Sequence, residues 1–114
     1  MSRLTIISVS FKARQGLAGW LESLAAAPPV LPHEVVVIDN ASPEGSPVDV
    51  VARFPSVRLI ALEANIGFAR ANNVGFRATT GELVLLLNSD TIVPAGAIDR
   101  LVEALDRVPD AAAA

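Results

Sequence analysis

LVLLLNSD, residues 83–90, sets five apolar side chains directly against an amide, a hydroxyl and a carboxylate. A short run that is apolar on both sides fits a strand of a parallel sheet with helices on both faces. Such sheets bind ligands beyond the carboxyl ends of their strands. Asn88, Ser89 and Asp90 then stand where a strand surfaces into a cleft, with groups suited to a metal, a phosphate or a sugar.

Working outward, short apolar runs alternate with helical patterns, the order expected of βαβ units. Strands are predicted at Leu4 to Val9, Glu34 to Ile38, Val57 to Ala61 and Leu83 to Leu87. VVVI and LVLLL, apolar on both faces, are expected to be the central strands. Leu17, Trp20, Leu21 and Leu24 recur at helical spacing and form one stripe, which APPVLP ends. SPVD offers Ser46 as N-cap, Pro47 as first helical residue and Asp49 at the capping-box position, with Val48 and Val51 turned inward. Pro94 is expected to open a last helix whose stripe is Ile98, Leu101, Val102 and Leu105.

The segment from Asn65 to Gly81 reads as a helix of unusual composition. Gly67, Gly75, Asn72 and Asn73 each lower helix propensity, by up to about 1 kcal/mol for an interior glycine relative to alanine. Either the glycines allow close packing on the sheet, or glycine and asparagine serve a ligand.

Composition narrows the functions. With 114 residues, 52% of them hydrophobic, the chain is long enough for one domain with a real core. Its net charge is −3, from 9 Lys plus Arg against 12 Asp plus Glu, so it lacks the basic footprint of a nucleic-acid binder. The absence of cysteine excludes a disulfide framework, a thiolate metal site and a cysteine nucleophile. No stretch approaches the roughly 20 apolar residues of a membrane span, and the start reads as a strand rather than a signal peptide. A cytoplasmic setting fits, with docking at the inner membrane face left open.

On parallel strands the polar groups gather on one rim: Ser10, then DNAS from Asp39 to Ser42, then EAN from Glu63 to Asn65, then NSD. Asp39 suits the acidic residue that binds a ribose or base edge, and an Asx-turn is its structural alternative. Asp90, with an amide oxygen two positions earlier, suits a divalent cation shared with a diphosphate; Mg²⁺ needs only one or two protein carboxylates. His33 reads as a surface loop residue before its strand, which leaves no Ser-His-Asp set. A receiver-like phospho-acceptor domain would need an acidic pair after the first strand, and SVSFKA has none.

Together LTIISVSF, VVVIDNASPEGS and NIGFARANNVGFRATTGELVLLLNSDT resemble the amino-terminal, nucleotide-binding half of family-two glycosyltransferases. The likeness covers nearly the whole chain, with the motifs in the family's order. It is nearest to bacterial transferases of cell-surface polysaccharide, often rhamnosyltransferases. The resemblance implies a Rossmann-like, mainly parallel α/β sheet of nucleotide-diphospho-sugar transferase type. It also implies an inverting transfer from a nucleoside-diphosphate sugar to a glycan or lipid-linked acceptor, and a divalent cation, Mg²⁺ or Mn²⁺.

By the same resemblance Asp39 matches the aspartate at the nucleotide base, with Asn40 and Ser42 in its loop. Asn88, Ser89 and Asp90 match the Asp-x-Asp motif, whose last carboxylate meets metal and diphosphate. Asn65, Gly67, Asn72 and Asn73 match a segment lining the donor cleft, and Ser10 and Phe11 match the nucleotide-contacting exit of the first strand. Asn88 departs from the motif's first aspartate, and Lys12 stands where asparagine is common. The family's acceptor-binding part and catalytic base fall later than residue 114, so the implied role of this segment is donor and metal binding. The alternative is a non-catalytic nucleotide-binding remnant domain.

Overall fold

β-branched residues dominate the two inner strands, β1 (Leu4–Ser10) and β2 (His33–Asp39), where their stiff side chains suit a pleated surface. The computed structural model describes residues 3–12, 14–44, 47–79, 81–89 and 91–108. Strands β3 (Val57–Ala61) and β4 (Leu83–Leu86) flank the inner pair in the order β3-β2-β1-β4, all parallel. Ser10 lies beside Asp39 and Asp39 beside Ala61 in this register, so the strands end together on one rim.

Alternation along the strands sends the side chains to two cores. Leu4, Ile6, Val35 and Val37 pack with Leu17, Trp20, Leu21 and Leu24 of α1 (Arg14–Ala26). Val50 and Val51 of α2 (Val48–Val51) and Ile98 and Val102 of α4 (Ala97–Asp106) join the same face. Each fully buried side chain there contributes about 1.5–3 kcal/mol relative to exposure. On the other face Ile7, Val36 and Ile38 meet Ala71 of α3 (Phe68–Arg77). Gly75 lets α3 come close, since a Cβ there would stand 2.9 Å from Ile7 Cγ2. Thus one of the odd glycines serves packing.

Three expectations about β4 and α2 are corrected. LVLLL does not form a central strand: among the described residues β4 is the sheet edge, and Leu86 is exposed. Leu83 and Leu87 donate their N–H groups to Arg3 and Ile7 of the β1 segment, so the backbone groups of Val84 and Leu86 face outward. The apolar run is explained instead by a groove of about 330 Å³ lined by Leu83, Leu85, Leu101, Leu105 and Phe76. Val48 is exposed while Val50 and Val51 are buried, because α2 is a single turn whose last residues meet α1 and β3. Pro47 is its N-cap rather than its first helical residue, and Ser46 lies outside the described residues.

Helix bounds also shift. α3 begins at Phe68, not Asn65, because Gly67 takes φ 86°, a left-handed backbone that ends the loop. α4 begins after Gly96, φ 78°, rather than at Pro94. His33 opens β2 instead of preceding it and sits half-buried, its Nδ1 2.9 Å from the Leu31 carbonyl. Among the described residues no helix is long and apolar enough to cross a membrane.

Candidate functional site

The β2 exit is the most tightly bonded part of the rim. Asp39 is only 2% exposed, and its Oδ1 accepts the Ser42 hydroxyl at 2.6 Å. The Ser42 N–H reaches Oδ2 at 3.4 Å, the weak closure of an Asx-like turn, so the structural alternative for Asp39 is present in the fold. Ser42 Oγ in turn accepts the Lys12 N–H at 3.1 Å, joining the loops after β1 and β2. Two residues here hold left-handed backbone without being glycine, Lys12 (φ 53°) and Ala41 (φ 58°). Such strain persists where surrounding bonds over-determine it.

Asn40 ties the next pair of loops. Its N–H donates to the Ser10 carbonyl at 2.8 Å, and its Oδ1 accepts the Ile66 N–H at 3.0 Å. Because Ile66 needs an acceptor, the amide orientation is settled and its NH₂ is left as a donor. Asn65 Oδ1 accepts the Gly67 N–H at 2.9 Å and shapes the turn into α3.

The β4 exit is held through its backbone. Leu87 N–H bonds Ile7, Thr91 Oγ1 donates to the Asn88 carbonyl at 2.8 Å, and Val93 N–H donates to Ser23 Oγ of α1 at 3.0 Å. The side chains of Asn88 and Ser89 make no hydrogen bond among the described residues, although Ser89 is only 6% exposed. Asp90 lies outside the described residues.

Between these exits opens a cleft of about 410 Å³, walled by Val9, Phe11, Asn40, Asn65, Phe68, Asn88 and Ser89. Polar groups of three different strand exits or loops converge there with two aromatic rings, and Lys12 Nζ sits 5.5 Å from the centre of the Phe11 ring. The start of α3 lies at this rim, so the positive end of its dipole favours an anion. Asp39, Ser42 and Ser10 stand beside the wall rather than in it. Asn72 is buried, its Nδ2 bonded to the Phe68 carbonyl at 3.2 Å, so it braces the first turn of α3; Asn73 is exposed outside the wall. Val9 and Phe68 belong to the wall without having been expected. An aromatic directly after a glycine cap on the ligand-binding rim was the available signal for Phe68.

The sequence profile of the family described as glycosyl transferase family 2 matches residues 5–114. The chain belongs to that family. Among its relatives is the N-acetylglucosaminyl-diphospho-decaprenol L-rhamnosyltransferase of Mycobacterium tuberculosis, 33% identical over 96% of this chain and 39% of that protein. Succinoglycan biosynthesis protein ExoO of Rhizobium meliloti is 34% identical over 90% of this chain and 30% of its own length. The chain therefore spans well under half of these relatives.

Solved structures carry the same fold. The mannosyltransferase PcManGT from Pyrobaculum calidifontis, in complex with GDP-Man and Mn²⁺, aligns with a TM-score of 0.80 at 28% identity, over 90% of this chain and 32% of that one. S. aureus TarS 1-349 aligns with a TM-score of 0.79 at 24% identity, over 94% and 33%, a likeness of fold. The architecture is thus the open, parallel α/β sheet of nucleotide-sugar transferases.

For a divalent cation the described residues hold no group of three His, Cys, Asp or Glu side chains. The donors at the β4 exit are hard oxygens, the Asn88 amide and the Ser89 hydroxyl, with the Asp90 carboxylate next in sequence. That set fits Mg²⁺ or Mn²⁺ completed by water and phosphate oxygens, which needs few protein ligands.

Proposed function

We propose that the complete protein is a glycosyltransferase that moves a sugar from a nucleoside-diphosphate donor to an acceptor hydroxyl, with this segment binding donor and metal. The observation that carries the reading is the convergence of Asn40, Asn65, Asn88 and Ser89 with Phe11 and Phe68 on one cleft at the carboxyl rim. Rhamnosyl transfer in bacterial cell-surface polysaccharide synthesis is the finer proposal, supported by the Mycobacterium tuberculosis relative. The acceptor is then a glycan or a lipid-linked saccharide, and the setting is cytoplasmic, peripheral at the inner membrane face.

In this reading Asp39 meets the base through Oδ2, the oxygen that Ser42 holds only at 3.4 Å. Phe11 and Phe68 offer ring faces, and the free NH₂ of Asn40 donates to a ligand oxygen. Asn65 and Gly67 shape the loop, with Asn72 and Asn73 on the helix behind it. Ser10 anchors Asn40 through its carbonyl. Asn88, Ser89 and Asp90 take the diphosphate end, Asp90 as the carboxylate ligand of the cation. A cation bound there offsets charge that grows on the leaving diphosphate. We assign the general base and the acceptor site to the part of the relatives' length that this chain does not span.

Titrating UDP, dTDP and GDP into the complete protein, with and without Mn²⁺, tests the reading. Metal-dependent binding of at least one, lost on Asp90→Ala, is expected. No metal-dependent heat with any of the three would contradict it. Binding without sugar turnover would instead favour the non-catalytic domain.

A further inference from the structure

We propose that Ser42 is a positioning residue: it does not touch the donor, but holds Lys12 and, through Lys12, sets the Phe11 ring in the wall of the cleft. The inference rests on the donor-binding reading above and assigns one of its residues a different task.

Hydrogen-bond direction gives the first reason. Asp39 carries an acceptor-only carboxylate when ionised, so the single Ser42 hydroxyl proton goes to Oδ1 at 2.6 Å. The lone pairs of Oγ then remain for the Lys12 N–H at 3.1 Å. One hydroxyl thus serves as both donor and acceptor, and Asp39, only 2% exposed, anchors the chain of bonds from inside the protein.

Backbone conformation gives the second. Lys12 at φ 53° and Ala41 at φ 58° occupy a region disfavoured for residues with a Cβ, so both loops need an external hold. Ser42 bonds directly to the first and follows the second in sequence. The third reason is placement. Ser42 is absent from the cleft wall, whereas Phe11, the neighbour of Lys12, is part of it. Loss of the hydroxyl would free Lys12 to leave its left-handed backbone and carry Phe11 with it.

Two arms on the complete protein test this. In the ligand-free protein, amide exchange at Lys12 is expected to quicken about tenfold in Ser42→Ala, as for loss of one net hydrogen bond, and to stay near wild type in Ser42→Thr, which keeps the hydroxyl. Unchanged exchange in Ser42→Ala would overturn the proposal. Ser42→Cys, which keeps the shape with a weaker acceptor, replaces the alanine variant if that protein does not fold.

In the second arm, calorimetry with UDP, dTDP and GDP plus Mn²⁺ compares Ser42→Ala, Phe11→Ala and the double variant. Each single change is expected to weaken binding, and the double variant to lie within about twofold of Phe11→Ala alone, because a residue acting through Phe11 has nothing left to act on. Additive losses would show that Ser42 meets the ligand itself and would overturn the proposal. If none of the nucleotides binds to wild type, the donor-binding reading fails, and the Lys12 exchange still decides whether Ser42 holds that loop.

Discussion

At the exit of β2, Asp39 and Asn40 are buried and each oxygen that bonds has a partner in the protein. At the exit of β4, Asn88 is exposed and neither its side chain nor that of Ser89 hydrogen-bonds among the described residues. Both pairs end a parallel strand on the same rim and both flank one cleft. The difference lies in what each exit does before a ligand arrives. The β2 exit is braced by folding through the Oδ1 atoms of Asp39 and Asn40, which leaves Asp39 Oδ2 and the Asn40 NH₂ for a ligand; the β4 exit keeps both of its side chains free for a ligand to engage. A scaffold residue should therefore cost stability when removed, and a reserved residue should cost binding alone.

The largest effect is expected at Asp39. Asp39→Ala removes the carboxylate that accepts the half-buried Ser42 hydroxyl, and hydrogen bonds to charged groups are worth about 1.5–3 kcal/mol, so urea denaturation should show a loss of about that size. A loss below about 0.5 kcal/mol would erase the contrast between the two exits. Asn40→Ala comes next. It leaves the Ile66 N–H without its acceptor and should cost about 1 kcal/mol, whereas Asn40→Asp keeps an acceptor and should cost less. An equal loss in both variants would mean that the Ile66 bond does not carry the effect.

Asn88→Ala sharpens the other side. Its stability should stay within about 0.5 kcal/mol of wild type, as for an exposed side chain without partners. Metal-dependent nucleotide affinity should fall about tenfold, or 1.4 kcal/mol. A drop in stability with no change in affinity would reverse the assignment of the β4 exit.

The smallest effect lies away from the rim, where the Arg3 guanidinium donates to Asp106 Oδ1 at 2.6 Å and ties the start of β1 to the end of α4. That hydrogen bond, with the charge of Arg3, holds the Asp106 carboxyl below its ordinary 3.8 and raises Arg3 above its own usual value. A depressed folded value means that the contribution is present at neutral pH and above 3.8. It is lost as pH falls through the lowered value. Both groups are exposed, so Asp106→Asn should shift the melting temperature only slightly at pH 7, and the two proteins should converge in acid. A difference that grows on acidification would contradict this.

The elements themselves were legible because their signals are local. The strand at Val57 to Ala61 appears with the expected bounds, and the α1 stripe of Leu17, Trp20, Leu21 and Leu24 is buried as its spacing requires. The position of β4 was not legible. An apolar run reports that side chains are covered, and it does not say whether a strand or a helix covers them; Leu83 and Leu85 border a groove against α4 instead of a fifth strand. The start of α3 was misplaced for a similar reason, since propensity sums over Asn65 to Gly81 do not register that Gly67 takes a left-handed backbone. At the cleft, residue types and rim position pointed to Asn40, Asn65, Asn88 and Ser89, all of which line its wall. Ser42's link to Lys12 crosses two loops 30 residues apart, and no spacing rule connects them.

The account stands on one cleft shared by the two exits. Amide hydrogen exchange of the complete protein, with and without a nucleoside diphosphate and Mn²⁺, tests this most directly. Protection rising together in the segments 10–12, 40–42, 65–68 and 88–91, with little change at the opposite rim, is the predicted result. Protection confined to one exit, or appearing on the amino-terminal side of the sheet, would contradict it.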